Sequence, residues 1–198
     1  MGVRPCYLEP AGSRVALRPL GRADEAEFIA VARASAGLHH PWMSLPTAPE
    51  EFGEFVARFD GPANVGLVVC DRTDDAIVGG ININNIVHGR FQSAALGYWV
   101  SAPAAGRGYM SEGIKLVMGY AFGPLRLHRL EANIQPGNHA SIQLVKRSGF
   151  RYEGYSPAYL FIDGAWRGHE RWAITREMLE PAADRLAAGW LPVAACSG

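Results

Sequence analysis

The pattern of apolar residues predicts an α/β fold, helices and strands around one mainly antiparallel sheet, and three observations carry that prediction. β-branched runs and amphipathic stretches succeed one another in the order β-α-α-β-β-β-α-β-α-β-β, seven strands and four helices. Three strand-like runs stand together in the middle of the chain, bounded by turn residues. The 198 residues suit one domain with a sizeable core, and 48% hydrophobic against 19% charged residues is the balance of a globular protein.

Arg14 to Leu20 alternates polar and apolar residues and reads as the first strand. Ala23 to Ala34 sets Ala26, Ile29, Ala30 and Val31 near helical spacing, an amphipathic helix. The stretch Gly37 to Met43 breaks it, because Pro41 disfavours helix in the residue before it. Pro49 to Phe59 predicts a second helix, with proline in the first turn where no N–H is needed. Val65 to Cys70, Ile77 to Ile86 and Ala94 to Val100 are the central strands. A loop at Pro103 to Gly108 leads to a helix over Glu112 to Phe122, whose Ile114, Val117, Met118, Ala121 and Phe122 form one stripe. Arg129 to Ile134 returns to strand. Asn138 to Arg147 is helical and stops at Ser148-Gly149, where glycine suits a left-handed cap. Two last strands, around Tyr159 to Ile162 and Arg171 to Thr175, flank a turn containing Asp163-Gly164. The expectation is a single domain over 1–198, with its core at 14–178 and a C-terminal tail over 179–198.

Lys plus Arg and Asp plus Glu both count 19, so the formal net charge is zero, which argues against a general nucleic-acid binder. The three cysteines, Cys6, Cys70 and Cys196, are scattered and imply no disulfide framework, so a cytoplasmic setting fits best. No apolar signal-peptide region follows Met1, and no run of about 18 apolar residues suggests a membrane span. The six histidines show no metal-binding spacing, and no metal is expected.

Ala104-Ala105-Gly106-Arg107-Gly108-Tyr109-Met110-Ser111 lies between a strand and a helix. A helix N-terminus leaves its first N–H groups unpaired and carries partial positive charge. Glycines let the backbone approach an anion closely, so Gly106 to Ser111 reads as a phosphate cradle to which Arg107 adds a charge-assisted donor. A Walker loop would need Gly-Lys-Ser/Thr, and a dinucleotide fingerprint would need a third glycine where Ser111 stands. The same residues also read as a glycine-rich turn with no ligand.

The chain around this loop resembles the GNAT superfamily of acyl-CoA N-acetyltransferases, whose Gln/Arg-x-x-Gly-x-Gly/Ala motif holds the CoA pyrophosphate on backbone amides. Gly108 matches the central glycine, while Ala105 stands where Gln or Arg is usual and Met110 where Gly or Ala is usual. Gly97-Tyr98-Trp99-Val100, His128 to Asn133 with Pro136 to Ser141, and Glu153-Gly154-Tyr155 with Tyr159-Leu160 and Asp163 to His169 are similar to the RimJ/RimL branch. Its named members acetylate the N-terminal alanine or serine of ribosomal proteins. The resemblance covers residues 14 to 178 and implies a GNAT fold, a mixed, mostly antiparallel seven-stranded sheet flanked by about four helices.

What the resemblance implies about roles follows from the chemistry. Acetyl transfer from a thioester deprotonates an amine, stabilises an oxyanion and protonates a departing thiolate. Trp99 and Val100 would line the pantetheine arm, and a backbone N–H near Val100 would polarise the thioester carbonyl. Ala105, Gly106, Arg107, Gly108, Tyr109, Met110, Ser111 and Asn138 would hold the phosphates and pantetheine of acetyl-CoA. Ser141 matches the Asn-x-x-Ser position and would protonate the thiolate. The tyrosine many members use one turn later is replaced by Val145. Ser141 also reads as a first-turn capping residue. Glu131 is either a base acting through water or an ion-pair partner of Arg129 or Arg171. Asn82 and Asn84 share one strand face and suit substrate or a bridging water, or are plain surface polar residues. Trp42 corresponds to the branch's substrate-side loop and, with Tyr159, either walls an acceptor pocket or simply packs.

The reading is an acetyl-CoA-dependent enzyme working by direct attack in a ternary complex, as a monomer or homodimer. Its acceptor is a protein N-terminal α-amine of the ribosomal-protein type. A small amine such as an antibiotic or polyamine is the alternative acceptor, and a non-catalytic acyl-CoA sensor is a third reading.

Overall fold

The structure, a computed structural model, describes residues 12–179. Seven strands form one sheet in the order β1-β2-β3-β4-β5-β7-β6. They are β1 (Val15–Pro19), β2 (Val65–Asp71), β3 (Ile77–Val87), β4 (Ser93–Val100), β5 (Arg129–Ile134), β6 (Arg151–Ile162) and β7 (Ala165–Thr175). The helices are α1 (Glu25–Ala34), α2 (Ala36–His39), α3 (Pro49–Ala57), α4 (Tyr109–Phe122) and α5 (His139–Arg147). Every neighbouring pair is antiparallel except β4 with β5, which run parallel and are joined through α4.

Helices cover both faces of the sheet, which is why β2 is apolar at nearly every position. On one face Ile81, Ile83, Leu130 and Ala132 meet Ile114, Val117, Met118 and Ala121 of α4 and Ile142 and Val145 of α5. On the other, Phe28, Ile29, Phe52 and Val56 of α1 and α3 pack on Val68, Cys70, Ile77 and Trp99. Phe28 centres that second layer, its ring 5.1 Å from both Phe52 and Trp99.

Four expectations are corrected. The Gly37–Met43 breaker begins one residue after α2 has started, so five α-helices are present where four were expected. Helix α4 starts at Tyr109, not Glu112, with Gly108 as its N-cap at φ 89°. β6 and β7 are 12 and 11 residues long, far longer than the segments expected. β6 is an edge strand, exposed at most positions, so it carries no apolar alternation to read. The Asp163-Gly164 turn stands as expected, both residues at positive φ (47° and 75°) between the paired Ile162 and Ala165. The tail over 180–198 lies outside the described residues, as do Cys6 and Cys196.

Candidate active site

β4 and β5 pair only from Ser93–Arg129 to Leu96–Ala132, yet β4 runs on to Val100 and β5 to Ile134. The two strands therefore part into a gap. The N–H of Ser101 donates to Val78 O on β3 at 2.9 Å. Backbone groups alternate sides along a strand, so those of Val100 and Tyr98 point away from β3, into the gap. An extended ligand can add there as a short extra strand.

The phosphate-type loop closes one end of this gap. The first intrahelical bond of α4 runs from Glu112 N–H to Gly108 O at 3.2 Å. The N–H groups of Tyr109, Met110 and Ser111 thus precede the helical ladder and form the open turn. Gly106 (φ 74°) and Gly108 (φ 89°) adopt the left-handed backbone that this approach requires. The loop is braced from outside. Arg14 bonds Glu112 through Nε (2.7 Å) and Nη2 (2.5 Å), and Nη2 also donates to Arg107 O at 3.1 Å. The guanidinium raises its own basicity against Glu112, whose hydrogen bonds with Arg14 hold that carboxyl below the usual range.

A cleft of about 630 Å³ runs along the gap. Tyr98, Trp99 and Val100 form its floor, and Ala104 to Gly106, Gly108, Met110 and Ser111 its end. Asn138, Ala140, Ser141, Gln143, Leu144 and Arg147 line one wall, with Leu38, His39, Trp42 and Met43 opposite. Of the expected cofactor residues, Arg107 and Tyr109 do not line it. Tyr109 donates to Asp71 Oδ2 at 2.5 Å, and the Arg107 guanidinium lies 5.4 Å over its ring.

Asn138 caps α5, its Oδ1 accepting the Ser141 N–H at 3.1 Å. The Ser141 side chain is then left to meet Tyr98, and the two hydroxyl oxygens stand 2.6 Å apart. Burial pushes the Tyr98 phenol up to about 12, with the Ser141 bond acting the other way. The Gly97–Val100 motif contains Tyr98, but a role for its hydroxyl is not legible there, because a tyrosine in a strand reads as core and its partner lies 43 residues further on.

Both carboxylate oxygens of Glu131 are held by arginines. Arg129 Nε donates to Oε1 at 2.9 Å and Arg171 Nη2 to Oε2 at 2.6 Å, and only 14% of its side chain is exposed. Arg129 also grips Glu153, so the four residues form a charge-balanced chain. They lie on the sheet face of Trp99, together with Asn82, Asn84 and Asn133. That face holds buried polar atoms without a hydrogen-bond partner: Asn84 Oδ1, Asn133 Oδ1 and Arg171 Nε. Tyr159 stacks here, 4.7 Å under the Arg171 guanidinium. Asn82, Asn84, Tyr159 and Glu131 therefore group together across the sheet from Ser141, outside the cleft. Trp42 lines the cleft, its ring abuts Gly137, and its carbonyl accepts from Gln135 Nε2 at 3.2 Å.

A second cavity of about 600 Å³, between α1, α3 and residues 43–47, shares His39 and Met43 with the cleft. Among the described residues no group of three or more His, Cys, Asp or Glu is arranged to hold a metal ion. No described helix is long and apolar enough to cross a membrane.

Residues 14–151 match the family model of the acetyltransferase (GNAT) domain. The structure of Mycobacterium smegmatis RimJ in complex with CoA-disulfide is 32% identical, with a TM-score of 0.79 and 88% of each chain covered. The ribosomal protein uS5-alanine N-acetyltransferase of Escherichia coli (strain K12) is 38% identical over 105 residues, 53% of this chain and 54% of that protein. The spermidine N(1)-acetyltransferase of the same strain is 28% identical over 170 residues, 83% of this chain and 88% of that protein.

Proposed function

This chain belongs to the GNAT family of acetyltransferases, and on that premise we propose that it carries an acetyl group from acetyl-CoA to a protein N-terminal α-amine, of the ribosomal-protein type, by direct attack in a ternary complex in the cytoplasm. The observation that carries the reading is the β4–β5 gap running from the open first turn of α4 to the Tyr98–Ser141 hydroxyl pair.

The pyrophosphate takes the N–H groups of Tyr109 to Ser111 and the glycine backbone before them. The pantetheine amides follow the β4 edge, and Val100 N–H donates to the thioester carbonyl, where negative charge develops on attack. The acceptor arrives from the Trp99 face, past Trp42. An α-amine has a reference pKa of about 7.7–8.0, so an appreciable neutral fraction exists near pH 7 and ordered water suffices to take its proton. The amine nitrogen bonds the carbonyl carbon, the C–S bond breaks, and Ser141, backed by Tyr98, passes a proton to the thiolate and regains one from the water that took the amine's proton.

The choice of acceptor rests on the polar face. Its unpartnered Asn84 and Asn133 carbonyls suit a single ammonium, and Arg171 Nε suits a peptide carbonyl. The carboxylates there, Glu131 and Glu153, are already paired with arginines, which leaves nothing for the several charges of a polyamine.

The test incubates the protein and acetyl-CoA with an Ala-starting peptide whose lysines are blocked, and separately with spermidine, reading products by mass. The peptide is expected to show kcat/KM at least roughly tenfold above spermidine. A preference for spermidine would overturn the acceptor assignment and leave the donor side intact. No product from any amine, with acetyl-CoA bound, would overturn catalysis itself.

A further inference from the structure

The last peptide of β4 is held from both sides. Its N–H, belonging to Ser101, donates to Val78 O at 2.9 Å, and its carbonyl, belonging to Val100, lies 2.9 Å from His39 Nε2. A carbonyl only accepts, so Nε2 carries the proton and the ring's tautomer is fixed. The other nitrogen, Nδ1, is buried with no partner, and His39 is 7% exposed against the Trp99 ring, 6.1 Å between centroids. An apolar side chain would fill that slot without burying an orphan nitrogen. What the imidazole contributes is therefore its one N–H to Val100.

The neighbouring contact points the same way. Ser35, buried between α1 and α2, accepts the Ala102 N–H on its Oγ at 2.9 Å. The α1–α2 corner thus grips residues 100 and 102, one on each side of Ser101. Without His39 the Val100 carbonyl would be an unpaired acceptor on a strand edge that has already left its neighbour. Within an extended residue the N–H and C=O point to the same side, so holding the carbonyl also holds the N–H direction.

We propose that His39 is a positioning residue for acetyl transfer: its clamp on the Val100 carbonyl keeps the Val100 N–H aimed at the thioester carbonyl. This rests on the acetyl-CoA reading above. His39 also lines both cavities, the cleft and the space between α1 and α3.

The test compares His39→Leu, which keeps the apolar fill, with His39→Gln, whose side-chain Nε2 can reach the same carbonyl. Two readouts are taken. The first is kcat and KM for peptide acetylation. The second is the infrared carbonyl stretch of bound acetyl-CoA labelled with carbon-13 at the thioester, which needs no acceptor. His39→Leu is expected to lower kcat roughly 10- to 100-fold, part of what one oxyanion donor supplies. Its acetyl-CoA dissociation constant should move less than about threefold, which is under 1 kcal/mol. The carbonyl stretch should fall to lower frequency on binding in wild type and in His39→Gln, and stay near its free value in His39→Leu. A stretch lowered in His39→Leu as far as in wild type, or equal loss of kcat in both variants, would overturn the proposal. If wild type acetylates nothing yet its bound carbonyl is shifted and His39→Leu abolishes the shift, the clamp stands and the acetyl-transfer reading falls.

Discussion

The Tyr98–Ser141 pair can be taken apart by a double-mutant cycle on kcat. General acid catalysis contributes about 10²- to 10⁴-fold. A thiolate with a reference pKa near 8.5 leaves readily, so the lower end applies, and Ser141→Ala should lower kcat about 100-fold, or ~2.7 kcal/mol. Tyr98→Phe keeps the serine hydroxyl and removes its partner at 2.6 Å. One hydrogen bond contributes about 0.5–1.5 kcal/mol, which predicts a loss of about tenfold. Independent roles would multiply to about 1000-fold in the double variant, whereas a relay leaves it near 100-fold, a coupling of ~1.4 kcal/mol. The assay follows CoA release at saturating acetyl-CoA and peptide, with the product checked by mass. The pH profile adds a signed test. Burial raises the Tyr98 phenol to about 12, so it keeps its proton until pH approaches that value. No alkaline fall in kcat below about pH 10 should therefore come from this group. A Ser141→Ala enzyme within threefold of wild type, or a fully multiplicative double variant, would refute the assignment.

Glu131→Gln should leave kcat/KM per folded molecule within about threefold, while breaking a mostly buried charge chain costs about 3 kcal/mol and lowers Tm by about 6–12 °C; a large kcat loss at unchanged Tm would make Glu131 the base after all. Asn133→Leu removes a buried unpartnered carbonyl, so thermal melting should show equal or higher stability while peptide kcat/KM falls about tenfold. Gly108→Ala forces a side chain to φ 89° and sets a Cβ 3.1 Å from Arg14 Nη2. The strain of about 1–2 kcal/mol should appear in denaturant melts, and calorimetry should find acetyl-CoA binding weakened about tenfold.

How much of this could be read without coordinates varied with the kind of signal. The α4 stripe from Ile114 to Phe122 is helical in the structure because five apolar residues at helical spacing admit no other packing. The Asp163-Gly164 turn was equally legible, since both positions need positive φ. The first turn of α4 was not, because Gly106 to Ser111 reads as loop when glycines dominate it. β6 was lost for lack of a buried face. In the site, Asn138 and Ser141 came from a local motif, and the structure shows the cap that the motif encodes. Tyr98 and His39 stayed hidden because their chemistry lies in contacts across 43 and 61 residues, which no spacing rule records. Glu131 was ambiguous for the same reason, and the two arginines named as its partners both proved to hold it.

The position of the site follows from one exception in the topology. Antiparallel neighbours can be joined by a tight turn, but a parallel pair needs a crossover. In this sheet the parallel pair is β4–β5 and the crossover is α4. A helix that leaves the end of β4 and returns to the start of β5 necessarily sets its N-terminus at the C-terminal end of β4. That is also where β4, no longer paired with β5 beyond Leu96, turns the backbone groups of Tyr98 and Val100 into the gap. The anion-binding turn and the open strand edge are thus consequences of the same connection, and they meet at Val100. A ligand with a phosphate at one end and amides along its length fits both at once, whereas a phosphate alone or an extended peptide alone would use only half of the arrangement. His39 acts at their meeting point, from the α1–α2 corner.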